Sequence, residues 1–215
     1  MSLAPIVLFV YNRPWHTQQT VEALKKNELA EQSELFIYCD EAKDESRRNS
    51  VDEVRRYIEK IDGFKKLTVT KRNKNWGLAD SIIDGVTTIV NKYGKIIVLE
   101  DDLVTSPYFL RYMNDALEFY KDKNKVMHIS GYVFPIENND LEDTYFIKPA
   151  SCWGWSTWDR AWGKFKKDSE YFIKIFDNKM IKDFNLNNSY NFFYPQVTNL
   201  FKIIQIKYSF PFDEN

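Results

Sequence analysis

The sequence is poor in the residues that build several common kinds of site. It holds only two cysteines, Cys39 and Cys152, in 215 residues, which excludes a disulfide scaffold and a cysteine-rich zinc centre. The two histidines, His16 and His128, are too few for a histidine-rich metal site, and His128, set among apolar residues, reads as a core histidine. The seven glycines include no G-x-G-x-x-G run and no Walker loop, so a dinucleotide fingerprint is absent. Neither sign of charge is in excess. The formal net charge is -1, which gives no reason to expect a nucleic-acid surface. Long hydrophobic runs are also missing: the first, residues 3–11, is too short to cross a bilayer and lacks the flanks of a signal peptide. These absences lead to the expectation of a cytoplasmic protein without a transmembrane segment, with peripheral membrane association left open.

What is present points to a folded domain. Apolar residues make up 44% and charged residues 28%, a balance unlike that of a disordered chain. A chain of this length buries a core without disulfide or metal staples. Aromatic residues reach 16%. Such an excess is often core, but it is also what a sugar-binding cleft uses, because flat rings pack on the apolar faces of pyranoses.

Strand and helix signals alternate along the first 130 residues. Residues 5–11 (PIVLFVY) form a continuous apolar run, as in a strand buried on both faces, and Asn12-Arg13-Pro14 breaks it. A helix is predicted over 17–26, a strand over 34–39, and an amphipathic helix over 52–61. Further strands are predicted over 66–70, 95–99 and 125–130. A helix over 78–90 follows the Trp76-Gly77 turn, and another opens at Ser106-Pro107 with Ser106 as its cap. This order predicts an α/β fold with a mostly parallel central sheet flanked by helices. Ligands of such sheets bind beyond the carboxyl ends of the strands. Three polar clusters fall there: Asn12 and Arg13, Asp40 and Glu41, and Glu100 to Asp102.

The run Glu100-Asp101-Asp102 is the sharpest feature. Three carboxylates directly after a buried strand repel one another and lose hydration, and so call for a cation or a hydrogen-bond network. Hard oxygen ligands in a small cluster suit Mn²⁺ or Mg²⁺ completed by substrate phosphates. The alternative is an acidic turn capping the helix near Pro107. Arg13 is suited to bidentate phosphate recognition. The stretch from Arg72 to Leu78 (RNKNWGL) carries two cations before a helix terminus that favours anions, or it is a solvated basic loop. The run Trp153-Gly154-Trp155-Ser156-Thr157-Trp158 offers either an aromatic wall for a sugar or lipid, or a packed edge.

These motifs, in this order, resemble a glycosyltransferase of the GT-A fold. Residues 99–109 (LEDDLVTSPYF) are most similar to the N-acetylglucosaminyltransferase I type and to bacterial capsule and lipopolysaccharide sugar transferases. The likeness covers about residues 4–165. It implies a nucleotide-diphosphate sugar as donor, typically UDP-linked, a Mn²⁺ or Mg²⁺ cofactor, and inversion at the anomeric carbon. It also implies a saccharide or glycolipid acceptor in bacterial polysaccharide biosynthesis. By the same likeness Asp102 is the metal ligand, and Asp101 contacts the donor ribose or supports the site. Glu100 orients the loop, Asn12 and Arg13 meet the nucleotide end of the donor, and Asp40 hydrogen-bonds its base. Gly154 and Trp155 lie on the acceptor side. The base that deprotonates the acceptor is Asp177, with Asp183 as its rival. Residues 1–150 form the donor half and 151–215 the acceptor side of one continuous domain. Relatives continue beyond this point, and residues 185–215 predict a shortened acceptor part. Two competing readings follow. One is a degenerate or truncated GT-A domain that binds a nucleotide sugar or a partner without turnover. The other, a sugar-phosphate nucleotidyltransferase, needs a Gly-rich phosphate loop where this chain has Asn-Arg-Pro.

Overall fold

The computed structural model describes residues 2–133 and 144–185. Residues 186–215, which carry most of the expectation of a shortened acceptor part, lie outside the described residues. The chain divides into two compact units, one of residues 1–138 with 150–165 and the other of 139–149 with 166–215. No helix among the described residues is long and apolar enough to cross a membrane.

The first unit is built on a sheet of six strands. They are β1 (Ile6–Val10), β2 (Glu34–Cys39), β3 (Lys66–Lys71), β4 (Lys95–Glu100), β5 (Ile129–Ser130) and β6 (Trp155–Trp158), in the order β3-β2-β1-β4-β6-β5. The first four run parallel, and β6 lies antiparallel to both β4 and β5. The continuous apolar runs of β1 and β4 are explained by two cores, one on each face. Ile6, Leu8, Ile97 and Leu99 pack beneath α1 (Pro14–Lys25), α2 (Glu45–Ile58) and α4 (Phe109–Phe119). Val7, Phe9, Ile96 and Val98 pack beneath α3 (Leu78–Tyr93). The fold is the α/β, mostly parallel arrangement that the sequence predicts.

Four local expectations are corrected. The helix expected at 52–61 begins at Glu45: Arg48 in its first turn pairs with Glu41, and Val51, ahead of the expected start, is fully buried. Ser106 does not cap α4 with its side chain; its carbonyl accepts the Phe109 N–H at 3.2 Å instead. The strand expected at 125–130 shrinks to Ile129–Ser130. Its approach is held by side chains: Arg160 donates to the carbonyls of Tyr120, Lys121 and Val126, and Thr157 Oγ1 to that of Met127. The tryptophan-rich run, expected to be an aromatic wall or a packed edge, contains the strand β6, with Trp155 and Trp158 buried on opposite faces. The short helix α5 (Asp159–Trp162) follows it and sets Trp162 against Trp155 and Phe165.

The second unit, as described, contains α6 (Ser169–Ile175) and α7 (Asn178–Phe184). Asp168 caps the first by accepting from the Tyr171 N–H at 2.9 Å. Phe176 makes edge contacts with both Phe172 and Phe184.

His128 lies just before β5, stacked on Trp155 with ring centroids 5.3 Å apart, and its Nε2 donates to the Ser151 carbonyl at 3.0 Å. Burial pushes its pKa down to about 4 from 6.5, so the ring is neutral in the fold. The unfolded chain binds a proton more readily between those values, and stability therefore falls as pH drops from 6.5 towards 4. The loss attributable to His128 is bounded at about 3 kcal/mol. Urea unfolding across this range is expected to show a flatter pH profile for His128→Gln than for the wild-type chain.

Candidate active site

Because β1, β2 and β4 are parallel neighbours, the residues that follow them share one rim. Arg13, at the amino end of α1, reaches from β1 to the end of β4. Its Nη2 lies 2.7 Å from Asp101 Oδ1 and its Nη1 2.9 Å from Asp102 Oδ2. The Asp101 side chain is 4% exposed and that of Asp102 40%, so the first acid is sealed in and the second faces solvent. Glu100 ends the strand itself. Burial, added to the charges of Asp102 and Asp101, pushes its pKa up to about 7. Burial also raises Asp101 to about 6 against the opposing pull of Arg13. One guanidinium thus faces three carboxylates and leaves negative charge uncompensated.

That surplus is the test of whether a cation suits the site. A hard divalent ion accepts one or two carboxylates and completes its shell with phosphate oxygens. Asp102, exposed beside a buried Asp101, fits that role. Among the described residues no group of three or more His, Cys, Asp or Glu side chains is placed to hold a metal ion. A cation held by Asp102 would need its remaining ligands from outside the protein.

Asp40 follows β2 and is 6% exposed. Its Oδ1 accepts the N–H groups of Glu41 at 3.0 Å and Trp76 at 2.9 Å, and its Oδ2 that of Gly77 at 2.8 Å. The carboxylate therefore fastens the loop before α3 to the end of β2. This occupation competes with the base-recognition role that the resemblance implies. The basic stretch from Arg72 to Leu78 is correspondingly no free loop. Arg72 pairs with Asp84 and lies over the rings of Trp76 and Tyr38, at 4.1 and 4.9 Å from their centroids. Asn75 Nδ2 donates to the Glu41 carbonyl at 2.7 Å, and Arg55 Nη2 to that of Arg72 at 2.7 Å. Tyr11 accepts the Lys43 N–H on its hydroxyl at 3.0 Å and ties down the loop after β2.

Tyr11 and Arg55 are rim residues that sequence reasoning missed, whereas Trp76 lies in the Arg72–Leu78 stretch that it singled out. An acid at the end of one strand and the Asn75-Trp76-Gly77 turn after the next was the available signal. Burial pushes the Cys39 thiol up to about 11, in keeping with its lack of a catalytic partner.

The remaining expected residues sit as follows. Asn12 immediately precedes Arg13 on the rim. Gly154 lies against Phe109 and Leu99, and Trp155 is a buried strand residue, 9% exposed. Asp177 and Asp183 belong to the second unit. The first caps α7, accepting the Met180 N–H at 2.7 Å, and the second lies 3.2 Å from Lys148 Nζ.

A parallel α/β sheet with an acidic strand end on its ligand-binding rim is the GT-A arrangement. The profile of glycosyl transferase family 2 matches residues 6–186, and the chain belongs to that family. No curated protein matches it in sequence. Among solved structures it is similar to TarS of S. aureus, with 14% identity, a TM-score of 0.45, and coverage of 70% of this chain and 28% of that one. The structure of TarS 1-349 in complex with UDP gives 13%, 0.45, 86% and 53%. The mannosyltransferase PcManGT from Pyrobaculum calidifontis, in complex with GDP-Man and Mn²⁺, gives 14%, 0.40, 60% and 35%. The chain thus spans about half or less of the length of each of these proteins.

Removing the Asp40 carboxylate leaves the amides of Glu41, Trp76 and Gly77 without their acceptor. Asp40→Ala is expected to cost about 3 kcal/mol. Hydrogen exchange at Trp76 and Gly77 should accelerate at least tenfold; unchanged protection there would show that Asp40 does not hold the loop.

Proposed function

We propose that this chain carries the donor site of a metal-dependent, inverting glycosyltransferase. The donor is a nucleotide-diphosphate sugar, UDP-linked, and the acceptor a saccharide or glycolipid in bacterial polysaccharide assembly. The observation that carries this reading is the acidic end of β4, with Asp102 exposed beside buried Asp101 on the rim shared with Asn12, Arg13 and Asp40, in a chain of glycosyl transferase family 2.

Asp102, supported by Asp101, would hold Mn²⁺ or Mg²⁺, which when bound supplies positive charge against the departing diphosphate. Arg13 adds a second cationic group whose planar fork fits phosphate oxygens as well as carboxylates. Its bonds to Asp101 and Asp102 keep the guanidinium in place before donor arrives. The Asp40-anchored loop presents a fixed wall at the end of β2. In the transfer itself the acceptor oxygen bonds to the anomeric carbon as the bond from that carbon to the phosphate oxygen breaks. The acceptor proton passes to a carboxylate. Asp177 and Asp183 are the candidates for that base; in the one actually used, a change to Asn stops transfer while UDP affinity is retained.

The direct test is calorimetric titration of UDP, with Mn²⁺ and then with EDTA. Binding is expected to depend on the metal and to weaken at least tenfold in Asp102→Ala. Equal affinity with and without Mn²⁺, or in the variant, would overturn the metal assignment.

A further inference from the structure

The turn that follows α1 holds a buried polar side chain that neither the cores nor the acidic rim explains. Residues 25–28 (KKNE) are all polar, yet Asn27 is only 6% exposed. A buried amide is kept where its hydrogen-bonding capacity is met. Asn27 Nδ2 donates to the Ala23 carbonyl at 3.0 Å and to Thr105 Oγ1 at 2.9 Å, and its Oδ1 accepts the Leu110 N–H at 3.0 Å. Flipping the amide would set donor against donor at Leu110, so its orientation is fixed. Glu28 adds two ties across the same gap. Its N–H donates to the Pro107 carbonyl at 2.9 Å, and its carboxylate pairs with Arg111. Leu29 then adopts a left-handed conformation, φ +73°, the one non-glycine residue to do so among the described residues. Such a conformation persists where the surroundings over-determine the turn.

These partners lie on the segment that leaves the acidic run. Residues 103–107 belong to neither strand nor helix. Among the described residues, their hydrogen bonds to distant parts of the chain are the two just given, at Thr105 and Pro107. Leu103 adds an apolar contact with the core beneath α1. Thr105 is three residues from Asp102, at most about 10 Å of extended chain. The acidic strand end is therefore bracketed by α1. Arg13, just before the helix, holds the carboxylates of Asp101 and Asp102, and Asn27, just after it, holds the segment that continues from them.

We propose that Asn27 is a positioning residue for the cation site: by fixing Thr105 and the start of α4, it sets how far Asp102 can reach. The proposal rests on the metal-dependent glycosyltransferase reading above. Its role is indirect, through the segment and not on the cation. A cation that takes the Asp102 carboxylate displaces Arg13 from it, and the tie at Thr105 then keeps the segment in place. A ligand already held near its binding geometry loses less freedom on coordination than one on a slack loop.

The test measures Mn²⁺ affinity in the presence of UDP from the electron paramagnetic resonance signal of free Mn²⁺, with thermal unfolding recorded in parallel. Thr105→Val removes the hydroxyl at nearly constant shape and leaves the other bonds of Asn27 in place. It is expected to weaken Mn²⁺ binding about tenfold, as loss of an outer-shell partner does at metal sites, and Thr105→Ser should restore most of it. Asn27→Ala should weaken binding at least as much, and adding Thr105→Val to it should bring no further loss. Asn114→Ala is the control for a purely structural effect. Asn114 is 7% exposed, accepts the Ala4 N–H at 2.8 Å and donates to the Leu110 carbonyl at 2.8 Å, but holds no residue of 103–107. Its loss should lower Tm while Mn²⁺ affinity stays within twofold. Unchanged Mn²⁺ affinity in Thr105→Val, no recovery in Thr105→Ser, or an equal loss in Asn114→Ala would overturn the positioning role and leave the donor site standing. A wild-type chain that binds UDP without regard to Mn²⁺, or binds neither, would overturn the metal reading and the proposal with it.

Discussion

Arg13 reaches from the end of β1 to the carboxylates of Asp101 and Asp102 at the end of β4, and the rest of the rim is arranged around that contact. Three successive acids follow four fully buried residues, Ile96 to Leu99. Placing them there costs free energy, because each loses water and each repels the others. One guanidinium offsets part of that cost. The raised pKa values of Glu100 and Asp101 record what is left. The two apolar cores that clamp β1 and β4 from either face tolerate this frustration, and neither strand can move to relieve it. A site that retains uncompensated charge in the folded chain is ready to accept a cation that brings its own anionic ligand.

A second anchor works in the opposite sense. Asp40 is a buried acid whose oxygens are filled by three backbone N–H groups, and it spends its charge on structure. Glu41 beside it is bound by Arg48 and Arg55, and burial of Arg55 against the Arg72 carbonyl joins β2, α2 and the loop after β3. Acids on one rim therefore have different tasks. Those after β2 build a rigid wall, and those after β4 remain partly unsatisfied. Polar residues at strand ends identify the rim but not this division of labour, which depends on partners 7 to 89 residues away in the chain.

The architecture was legible in the sequence wherever burial was two-sided. β2 and β4 were read to within a residue, because apolar runs bounded by charged residues leave little choice of register. Reading failed where polar side chains do the work of a strand or cap. The first turn of α2 rests on the Arg48–Glu41 ion pair, and the approach to β5 rests on Arg160. Neither leaves an apolar period to detect. β6 was missed for another reason: glycine among three tryptophans shows no strand alternation, whereas Trp155 and Trp158 each fill a core on opposite sides of one short strand. In the site, Arg13 and the three acids were visible as candidates, but their mutual contact needs the β1–β4 pairing that only the fold supplies.

A crystal structure of the chain with UDP and Mn²⁺ tests the central claim most directly. The account predicts metal density on Asp102, with the Arg13 guanidinium released from that carboxylate and facing the diphosphate. An intact Arg13–Asp102 pair with the nucleotide bound elsewhere would contradict it and return the acidic run to a purely structural turn.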